Sequence, residues 1–366
     1  MPLRVIIDAR EFVPGRTTGI GRVLCGIAGA LVDNGTADRM VLAVQHPEGV
    51  PSSLKEKLNV RIVKVSGAFP IAEAQLALLA KNRQDLFLSP YPKLPFWGLR
   101  ARAVHIIHDV FYLTSPGCRK GYRSAFDRLR LKRALGRADL TWYDSYVSME
   151  ETRIVAGHCG RHPKMRYPAI EDKFSPAART DDVRVLQRYG LAPGYILVTG
   201  NGRPHKNLGV LLEGSSAMMR PLVFVGVAEN RRRIWQKSFP HSPAAWVARI
   251  DEEDLPAVMR KAFCLAQPSI AEGYGYPPLE AMACGTPAVV SDIPVLQETT
   301  GGRALFANPH DPRSWVEAFE TLEEPDTHQR FAAEGLLRVK PLKGKQAWGA
   351  YLQDLTPFTD VVNSPG

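Results

Sequence analysis

The stretch Glu272-Gly-Tyr-Gly-Tyr-Pro-Pro-Leu-Glu280-Ala-Met-Ala-Cys-Gly-Thr-Pro287 is the most informative part of the sequence. Two carboxylates stand eight positions apart, and a Gly-Tyr-Gly-Tyr loop separates the first from Pro277 and Pro278. The prolines predict the start of a helix with Glu280 on its first turn, because proline is favoured at the first helical position. Loop glycines let the backbone approach a ligand, and a helix start offers N–H groups and partial positive charge that suit a phosphate. The pattern therefore fits a nucleotide sugar, with backbone groups for the diphosphate and carboxylates for hydroxyl groups.

The same segment resembles the Glu-x7-Glu signature of retaining GT-B glycosyltransferases, in particular family 4. The resemblance continues into Ala288-Val-Val-Ser291 and Leu296-Gln-Glu298. It implies an α/β fold of two Rossmann-like parallel-sheet domains that face a central cleft. It also implies retaining transfer of a hexose from a nucleotide diphosphate sugar, without a metal ion or another cofactor. The alternative interpretation is a surface loop that leads into a buried helix, with both glutamates solvated.

Length and composition indicate a two-domain globular protein. The chain has 366 residues, of which 45% are apolar and 23% are charged, so each of two domains can bury its own core. We expect no transmembrane helix, because no run of about 18 uncharged apolar residues occurs. The N-terminus leads directly into a strand and lacks the segments of a signal peptide, which predicts a cytoplasmic protein. The five cysteines are scattered and include no Cys-x-x-Cys pair, so we expect reduced thiols rather than disulfides or a zinc site.

The net charge of +10 favours an anionic partner. We expect no nucleic acid, because neither zinc-finger spacing nor an aromatic-basic RNA motif is visible. The segment 119–137 contains eight basic residues and one acid. Phe126, Leu129 and Arg133 follow helical spacing, so one helix face is partly apolar. Such a helix could lie peripherally on the anionic inner face of a membrane and reach a lipid-linked acceptor, and a solvated basic helix is the alternative.

Short apolar runs alternate with helix-like segments in two similar halves, which predicts parallel sheets covered on both faces. The first half begins with a strand at 4–8 and a helix over about 22–31, and a charged, proline-containing linker follows residue 167. We predict an acceptor-binding domain over 1–175 and a nucleotide-sugar-binding domain over 176–342. By resemblance, a helix in 343–366 crosses back to the first domain. Further strands are predicted at 40–44, 60–65, 86–88, 104–107, 140–143, 195–200, 222–225, 245–250, 264–266, 288–290 and 304–306.

A basic turn, Gly200-Asn-Gly-Arg203-Pro-His-Lys206-Asn-Leu208, follows the first predicted strand of the second half. Ligands bind beyond the carboxyl ends of parallel strands, so we expect this turn at the ligand. Arg203 can bind two phosphate oxygens and Lys206 can act as a point charge, so both would neutralise a leaving nucleoside diphosphate. The sequence of this turn is similar to the family's Gly…Arg-x-x-Lys-Asn-Leu element. A solvated basic turn is the alternative.

The dipeptide His108-Asp109 ends a predicted strand and resembles the family's His-Asp element, in which the histidine approaches the donor sugar. Asp109 would orient the ring or cap the next turn. His105 lies earlier in the same strand and is not chosen, because His108 lies where the chain turns.

The segment Gly19-Ile-Gly21-Arg22 follows the first strand and opens a helix, although it lacks a full Gly-x-Gly-x-x-Gly motif. By resemblance it borders the donor phosphate and the acceptor, and an ordinary strand-to-helix turn is the alternative. Arg10, Glu11 and Arg16 in the same region are candidates for contact with the acceptor.

The resemblance implies the remaining roles. Glu280 would bind the nucleotide ribose, Glu272 would contact the donor sugar near the reacting carbon, and Arg249 would lie near the base. The candidate catalytic residues are thus Glu272, His108, Lys206 and Arg203. The candidate donor-binding residues are Glu280, Gly273, Tyr274, Gly275, Tyr276, Pro277, Arg249, Gly200, Gly19 and Gly21.

The donor would be a GDP- or UDP-linked sugar, and the acceptor a glycan or lipid-linked molecule. General resemblance to bacterial surface-polysaccharide mannosyltransferases favours GDP-mannose, in polysaccharide or glycolipid biosynthesis. Two alternatives stay open. One is a nucleotide-sugar 2-epimerase of the same fold, and the other is a non-catalytic nucleotide-sugar-binding partner in a polysaccharide assembly.

Overall fold

The computed structural model describes residues 3–15, 18–114 and 121–360, with the backbone alone at 121–123, 345, 359 and 360. The chain divides into two compact units. Unit 1 comprises Met1–Ala169 and Gly344–Gly366, and unit 2 comprises Ile170–Lys343. Of the helices in the described ranges, none combines the length and the hydropathy of a membrane span.

Unit 1 is built on a seven-stranded, wholly parallel sheet. Its strands are β1 (Arg4–Asp8), β2 (Arg39–Val44), β3 (Val60–Lys64), β4 (Leu86–Ser89), β5 (Arg102–Ile107), β6 (Leu140–Tyr143) and β7 (Pro163–Met165). They are ordered β3-β2-β1-β4-β5-β6-β7, so the direction of chain progression reverses between β1 and β4. Strands β4 and β6 are buried at every residue, as expected where helices cover both faces of a parallel sheet.

The helices of the first part of unit 1 connect these parallel strands. They are α1 (Gly19–Asp33), α2 (Ser52–Lys55), α3 (Phe69–Leu79), α4 (Phe111–Thr114), α5 (Gly121–Arg137) and α6 (Tyr146–Ala156). Two of them have side-chain caps. Thr18 Oγ1 accepts the N–H of Gly21 at 3.0 Å before α1, and Ser145 Oγ accepts the N–H of Ser148 at 3.0 Å before α6. These caps satisfy backbone donors that no helical carbonyl can reach.

Unit 2 repeats the plan with a six-stranded parallel sheet. Its strands are β8 (Ile196–Thr199), β9 (Leu222–Val225), β10 (Ala244–Val247), β11 (Cys264–Gln267), β12 (Ala288–Ser291) and β13 (Leu305–Ala307). They are ordered β10-β9-β8-β11-β12-β13, so the switch point lies between β8 and β11. The helices are α7 (Asp182–Arg188), α8 (Gly209–Gly214), α9 (Glu229–Ser238), α10 (Leu255–Lys261), α11 (Tyr276–Ala283), α12 (Pro294–Thr300), α13 (Pro312–Glu323) and α14 (Pro325–Val339).

The predicted fold class, two α/β units with parallel sheets, is confirmed. Two strands differ from the prediction. Strand β7 was not predicted, because Pro163-Lys-Met165 offers no apolar run. Strand β10 ends at Val247 instead of residue 250, because its single neighbour β9 ends at Val225, the residue paired with Val247.

The division between the units lies ahead of the predicted boundary near residue 175. Ile170 donates its N–H to the carbonyl of Leu342 at 2.8 Å, and Lys343 Nζ donates to the carbonyl of Phe174 at 2.7 Å. These bonds attach residues 170–175 to unit 2. Proline and charge identify a linker in a sequence, but its tertiary hydrogen bonds cannot be inferred from composition.

The last helix, α15 (Gly344–Asp360), packs within unit 1. Its Trp348 lies against α1 at Gly26, where an added Cβ would approach the indole to 2.1 Å, so glycine is required there. Tyr351 is fully buried, with its ring 4.9 Å from that of Trp142. Asp354 accepts two hydrogen bonds from Arg166, at 2.9 and 2.7 Å, and one from the indole N–H of Trp142 at 2.9 Å.

Asp354→Ala should lower the free energy of unfolding by about 2 kcal/mol, because a guanidinium and a buried indole lose their acceptor. The control is Gln353→Ala, which changes an exposed neighbour on the same helix and should cost no more than about 0.5 kcal/mol. Chemical denaturation of both variants measures the difference. Equal shifts would show that Asp354 does not hold α15 in place.

Candidate functional site

The switch point of unit 2 brings together the basic turn and the Glu-containing loop. Lys206 lies in a short 3-10 helix after β8, and Glu272 lies in the loop after β11. The two loops are joined by a hydrogen bond from the N–H of Ile270 to the carbonyl of His205, at 2.8 Å. Ligands of parallel sheets bind beyond the carboxyl ends of the strands at such a switch point.

The carboxylate of Glu272 is the centre of a hydrogen-bonded cluster. Its Oε1 accepts bonds of 2.6 Å from each of three donors, Lys206 Nζ, Gln267 Nε2 and Ser269 Oγ. The side chain of Glu272 is 10% exposed and that of Lys206 is 19% exposed. Within the described ranges, no hydrogen bond reaches the other oxygen, Oε2. One carboxylate oxygen is therefore fixed, and the other is available to a ligand.

The charge of Lys206 determines the ionisation of Glu272. Burial would raise the pKa of this carboxyl, but the Lys206 charge, hydrogen bonds from Lys206 and Ser269, and the nearby His205 outweigh burial, so the pKa is lowered. The pKa of His205 is also lowered, because the ring is partly buried and lies beside the cations Lys206 and Arg203. The site therefore holds a carboxylate and an ammonium group in little water, where electrostatic interactions are stronger than at a surface.

The loop after Glu272 ends in a helix start of the predicted kind. Gly275 caps α11 with φ of 86°, and a Cβ there would lie 2.7 Å from Leu296 Cδ2, so both the backbone and the space require glycine. Tyr274 is buried, and its ring contacts that of Tyr276 edge to face, with 5.2 Å between centroids. The left-handed cap starts the helix at Tyr276, one residue before Pro277. The N-terminus of α11 thus lies on the loop that carries Glu272 and Gly273. Its partial positive charge favours an anion, while Pro277 and Pro278 contribute no N–H.

Glu280 differs from its predicted position. It is the fifth residue of α11, beyond the predicted first turn, because the helix begins before the prolines. Only 3% of the residue is exposed. Its role toward a ribose stays a prediction that rests on the family resemblance.

Two candidate arginines of unit 2 are exposed, but they lie in different places. Arg203 follows Gly200 and Gly202 in the turn that also carries Lys206, and in the described part of the chain its guanidinium has no ion pair. Arg249 lies beyond the end of β10, an edge strand that β9 separates from β8. Among the described residues, no hydrogen bond or ion pair connects Arg249 with Lys206 or Glu272. Arg203 is therefore part of the candidate phosphate site, while the base-side role of Arg249 stays a prediction.

In unit 1, His108 follows β5 and is almost fully buried. Its ring Nδ1 lies 2.6 Å from Oδ2 of Asp144, the residue after β6. The prediction let Asp109 orient the ring or cap the next turn. The ring instead donates its Nδ1–H to Asp144, because the neighbouring parallel strand ends beside the histidine. Burial would lower the pKa of His108, and the charge and hydrogen bond of Asp144 outweigh it, so the pKa is raised.

The start of α1 also lies at the carboxyl edge of the unit 1 sheet. Gly19 is its first residue, and Gly21 is buried, with its N–H on the Thr18 cap. Glu11, a predicted acceptor contact, accepts hydrogen bonds from Thr18 Oγ1 at 2.6 Å and from the hydroxyl of Tyr91 at 3.0 Å.

Arg10, the second predicted acceptor contact, forms a two-bond pair with Asp8, at 2.8 and 2.7 Å. The third, Arg16, lies outside the described residues. Over those residues, no group of three His, Cys, Asp or Glu side chains is placed to hold a metal ion.

The sequence analysis did not identify three polar residues of these clusters: Gln267, Ser269 and Asp144. Gln267 and Asp144 stand at the carboxyl ends of apolar strands, where a polar residue signals a ligand or a network. That signal is present in Cys264-Leu-Ala-Gln267 and in Leu140-Thr-Trp-Tyr-Asp144.

Lys206→Met should reduce the stability of the free protein by about 3 kcal/mol at neutral pH, because it leaves a buried carboxylate without its cation. It should also raise the pKa of Glu272, which carboxyl ¹³C NMR can measure. In the wild type, the lowered pKa of Glu272 stabilises the folded protein above pH 4.5, the ordinary pKa of the group, and this stabilisation is lost as the pH falls through the folded-state pKa. The variant should therefore lose less stability than the wild type on acidification.

The double variant Lys206→Met/Glu272→Gln should recover much of the stability, because a neutral amide needs no cation. Arg153→Met is the matched control, since it breaks an exposed ion pair with Glu150 and should leave the stability nearly unchanged. An unchanged Glu272 pKa in Lys206→Met would contradict the assigned coupling.

Comparison with known proteins places this site in a family. A family model described as glycosyl transferases group 1 matches residues 190–336. The chain is 28% identical over 361 residues to an O-antigen chain mannosyltransferase B from Escherichia coli, covering 92% of this chain and 95% of that protein. It is 33% identical over 144 residues to the O-antigen chain mannosyltransferase RfbU from Salmonella typhimurium, covering 37% and 41% respectively.

A solved structure extends the comparison to the fold. Sucrose-phosphate synthase from Thermosynechococcus elongatus matches with a TM-score of 0.79 and 17% identity, covering 99% of both chains. The match to the family model covers the segment that contains Lys206 and Glu272, and the fold match covers both parallel-sheet units. The chain is therefore a glycosyltransferase with the GT-B fold, and its residues 190–336 are similar to the glycosyl transferases group 1 family.

Proposed function

We propose that this glycosyltransferase moves a mannosyl residue from a nucleotide diphosphate sugar, GDP-mannose, to a hydroxyl group of a glycan or lipid-linked acceptor. The proposal places the reaction in the biosynthesis of a bacterial surface polysaccharide. The observation that carries it is the Lys206–Glu272 pair at the unit 2 switch point, beside the N-terminus of α11. The mannose and the polysaccharide come from the names of the two mannosyltransferase relatives.

The basic turn supports the departure of the nucleotide. When the bond between the anomeric carbon and the diphosphate oxygen breaks, negative charge develops on the diphosphate. Lys206 has three N–H donors, and Glu272 takes one of them, so two remain for phosphate oxygens. Arg203 adds an exposed guanidinium, and the dipole of α11 adds partial positive charge at its N-terminus. Preorganised donors of this kind stabilise a leaving anion without a metal ion.

The carboxylate and the histidine have roles toward the sugar. Glu272 would use its Oε2 to contact the transferred sugar near the reacting carbon, because Oε1 is already occupied by three donors. Glu280 would bind the ribose, and His108 would contribute its Nε2 to the donor sugar. The acceptor oxygen takes the place of the diphosphate on the same face of the anomeric carbon, and the hydroxyl proton leaves with the diphosphate, so the configuration is retained, as the family resemblance implies.

Transfer should be detected when the purified protein is incubated with GDP-mannose and a lipid-linked glycan acceptor, with UDP-glucose as the competing donor. We expect mannosylated product with retained configuration by ¹H NMR, in the presence or absence of EDTA. Arg203→Ala and Glu272→Gln should each lower kcat by about 100-fold, because each removes charge or hydrogen bonding used in the transition state.

The matched control is Arg184→Ala, which removes an exposed arginine from α7 in the same unit and should leave kcat unchanged. An epimerised donor without transfer, or wild-type rates in both site variants, would refute the proposed reaction. Product with inverted configuration would refute only its retaining course.

We also propose that unit 1 binds an anionic membrane surface on the cytoplasmic side. Six large apolar side chains of α3, α5 and the loop after β4 are 42–67% exposed: Phe69, Ile71, Leu78, Trp97, Phe126 and Leu129. These six residues and the exposed cations of α5 together form what we call the apolar-basic surface. The cations are Arg128, Lys132 and Arg133. Exposed aromatic and aliphatic residues beside cations are typical of surfaces that bind anionic lipids.

Side-chain contacts join these three elements into one surface. The rings of Phe69 and Phe126 meet edge to face with centroids 6.4 Å apart, and the guanidinium of Arg130 lies over both. Arg133 lies 4.6 Å over the ring of Phe96 and donates two hydrogen bonds to its carbonyl. Trp97, next in the chain, borders a groove of about 410 Å³ between the loop and α5. The position of the exposed apolar groups is thus fixed by unit 1 itself.

The protein should sediment with vesicles that contain phosphatidylglycerol and not with vesicles of phosphatidylcholine alone. Arg128→Glu/Lys132→Glu should reduce binding by about tenfold or more, since each cation near an anionic surface contributes about 1 kcal/mol. The control Arg231→Glu/Arg233→Glu changes the charge of unit 2 by the same amount. Equal loss in both double variants would indicate dependence on net charge, and no binding by the wild type would refute the proposal.

A further inference from the structure

His108 and Asp144 occupy equivalent positions on neighbouring parallel strands. The register of β5 and β6 pairs Ile107 with Tyr143, so the next residue of each strand lies at the carboxyl edge beside the other. His108 Nδ1 and Asp144 Oδ2 are 2.6 Å apart, with side-chain exposures of 11% and 3%. The two residues are 36 positions apart in the chain. The pair is thus produced by strand pairing rather than by a local turn.

The surroundings fix this pair from two sides. Ser148 Oγ donates to the carbonyl of His108 at 2.9 Å, and Ser145 Oγ donates to Ser148 Oγ at 2.9 Å. These serines belong to the first turn and the cap of α6, which follows Asp144 directly. The backbone of the histidine is therefore tied to the same segment that carries its carboxylate partner.

The two ring nitrogens of His108 have different environments. Nδ1 faces a carboxylate, which accepts only, so Nδ1 carries the hydrogen and donates it. Nε2 is buried and has no hydrogen-bond partner within residues 3–15, 18–114 and 121–360. A buried polar atom without a partner can be completed by a ligand or water. His105 Nδ1 shares this property inside β5, but His108 lies beyond the carboxyl end of that strand, where ligands of parallel sheets bind.

We propose that Asp144 is a positioning residue for transfer: it holds His108 with Nδ1–H toward the carboxylate, so that Nε2 is presented to the donor sugar. The proposal rests on the role of His108 under the proposed function and adds to it the residue that orients the ring. Asp144 itself touches no substrate. It acts through the histidine, as carboxylates do behind metal-bound histidines.

His105 provides an internal comparison. It lies in the same strand and is fully buried, but its Nε2 pairs with the hydroxyl of Thr141 on β6 at 2.9 Å. Burial lowers the pKa of His105 to about 3, whereas the pKa of His108 is raised against the same burial effect. The difference follows from the charged groups that face His108: Asp144 from β6, Asp109 from its own loop and Glu11 from the loop after β1.

The test combines Asp144→Asn with NMR of the ring resonances of His108. The amide keeps the shape of the carboxylate and can still accept a hydrogen bond, but it removes a negative charge. The raised pKa of His108 should fall, so its titration midpoint should move to lower pH. With GDP-mannose and acceptor, kcat/KM should fall by about tenfold or more, the range known for orienting partners of functional histidines, and the limb of the pH–rate profile that depends on His108 should move in the same direction.

Thr141→Val is the matched control, since it removes the partner of the other buried histidine on the same pair of strands. It should leave the His108 midpoint and the shape of the pH–rate profile unchanged. An unchanged midpoint in Asp144→Asn, or wild-type kcat/KM despite a shifted midpoint, would overturn the positioning role. A wild-type protein without transferase activity would instead refute the proposed function, because the midpoint is measured without substrate.

Discussion

The partly buried ion pair between Lys206 and Glu272 is the interaction on which the candidate donor site depends. Removing two charges from water is costly, and the cost is offset only when geometry is good and the remaining donors and acceptors are satisfied. Here Gln267 and Ser269 add neutral donors to the same carboxylate oxygen, each at 2.6 Å. The parallel sheet makes this possible, because β8 and β11 are neighbours whose following loops diverge from one edge.

The sheet topology explains why much of this could be predicted from the sequence. Apolar runs indicated most of the strands, and Pro277 with Pro278 indicated the start of α11, because local backbone chemistry determines both. The proximity of Lys206 to Glu272 could be expected from the family resemblance, whereas the strand order that produces it was not predicted. Arg249 shows the limit of this inference. Strand β10, which precedes it, ends at Val247 because the neighbouring strand β9 ends at Val225, and such strand pairing is a tertiary property.

The partner of His108 shows why side-chain networks are harder to predict. Proximity in sequence suggested Asp109, whereas strand pairing supplies Asp144. Nothing in a single strand specifies which residue its neighbour presents, because register depends on packing of the whole sheet. The family's His-Asp element contains the histidine but does not identify its hydrogen-bond partner. The pair is evident only from the pairing of the two strands in the structure.

The sites of the two units share one property. In each site one atom of a functional group, Glu272 Oε1 or His108 Nδ1, is hydrogen-bonded to neighbouring side chains. The second polar atom of the same group, Glu272 Oε2 or His108 Nε2, has no hydrogen-bond partner in the described part of the chain. A hydrogen-bond network that only stabilises the fold is most favourable when every buried polar atom has a partner. Asp354 is an example, because its carboxylate accepts three hydrogen bonds. A half-satisfied group reduces the stability of the free protein and offers a fixed, desolvated atom to a substrate, which is the arrangement that catalysis by preorganised electrostatics requires.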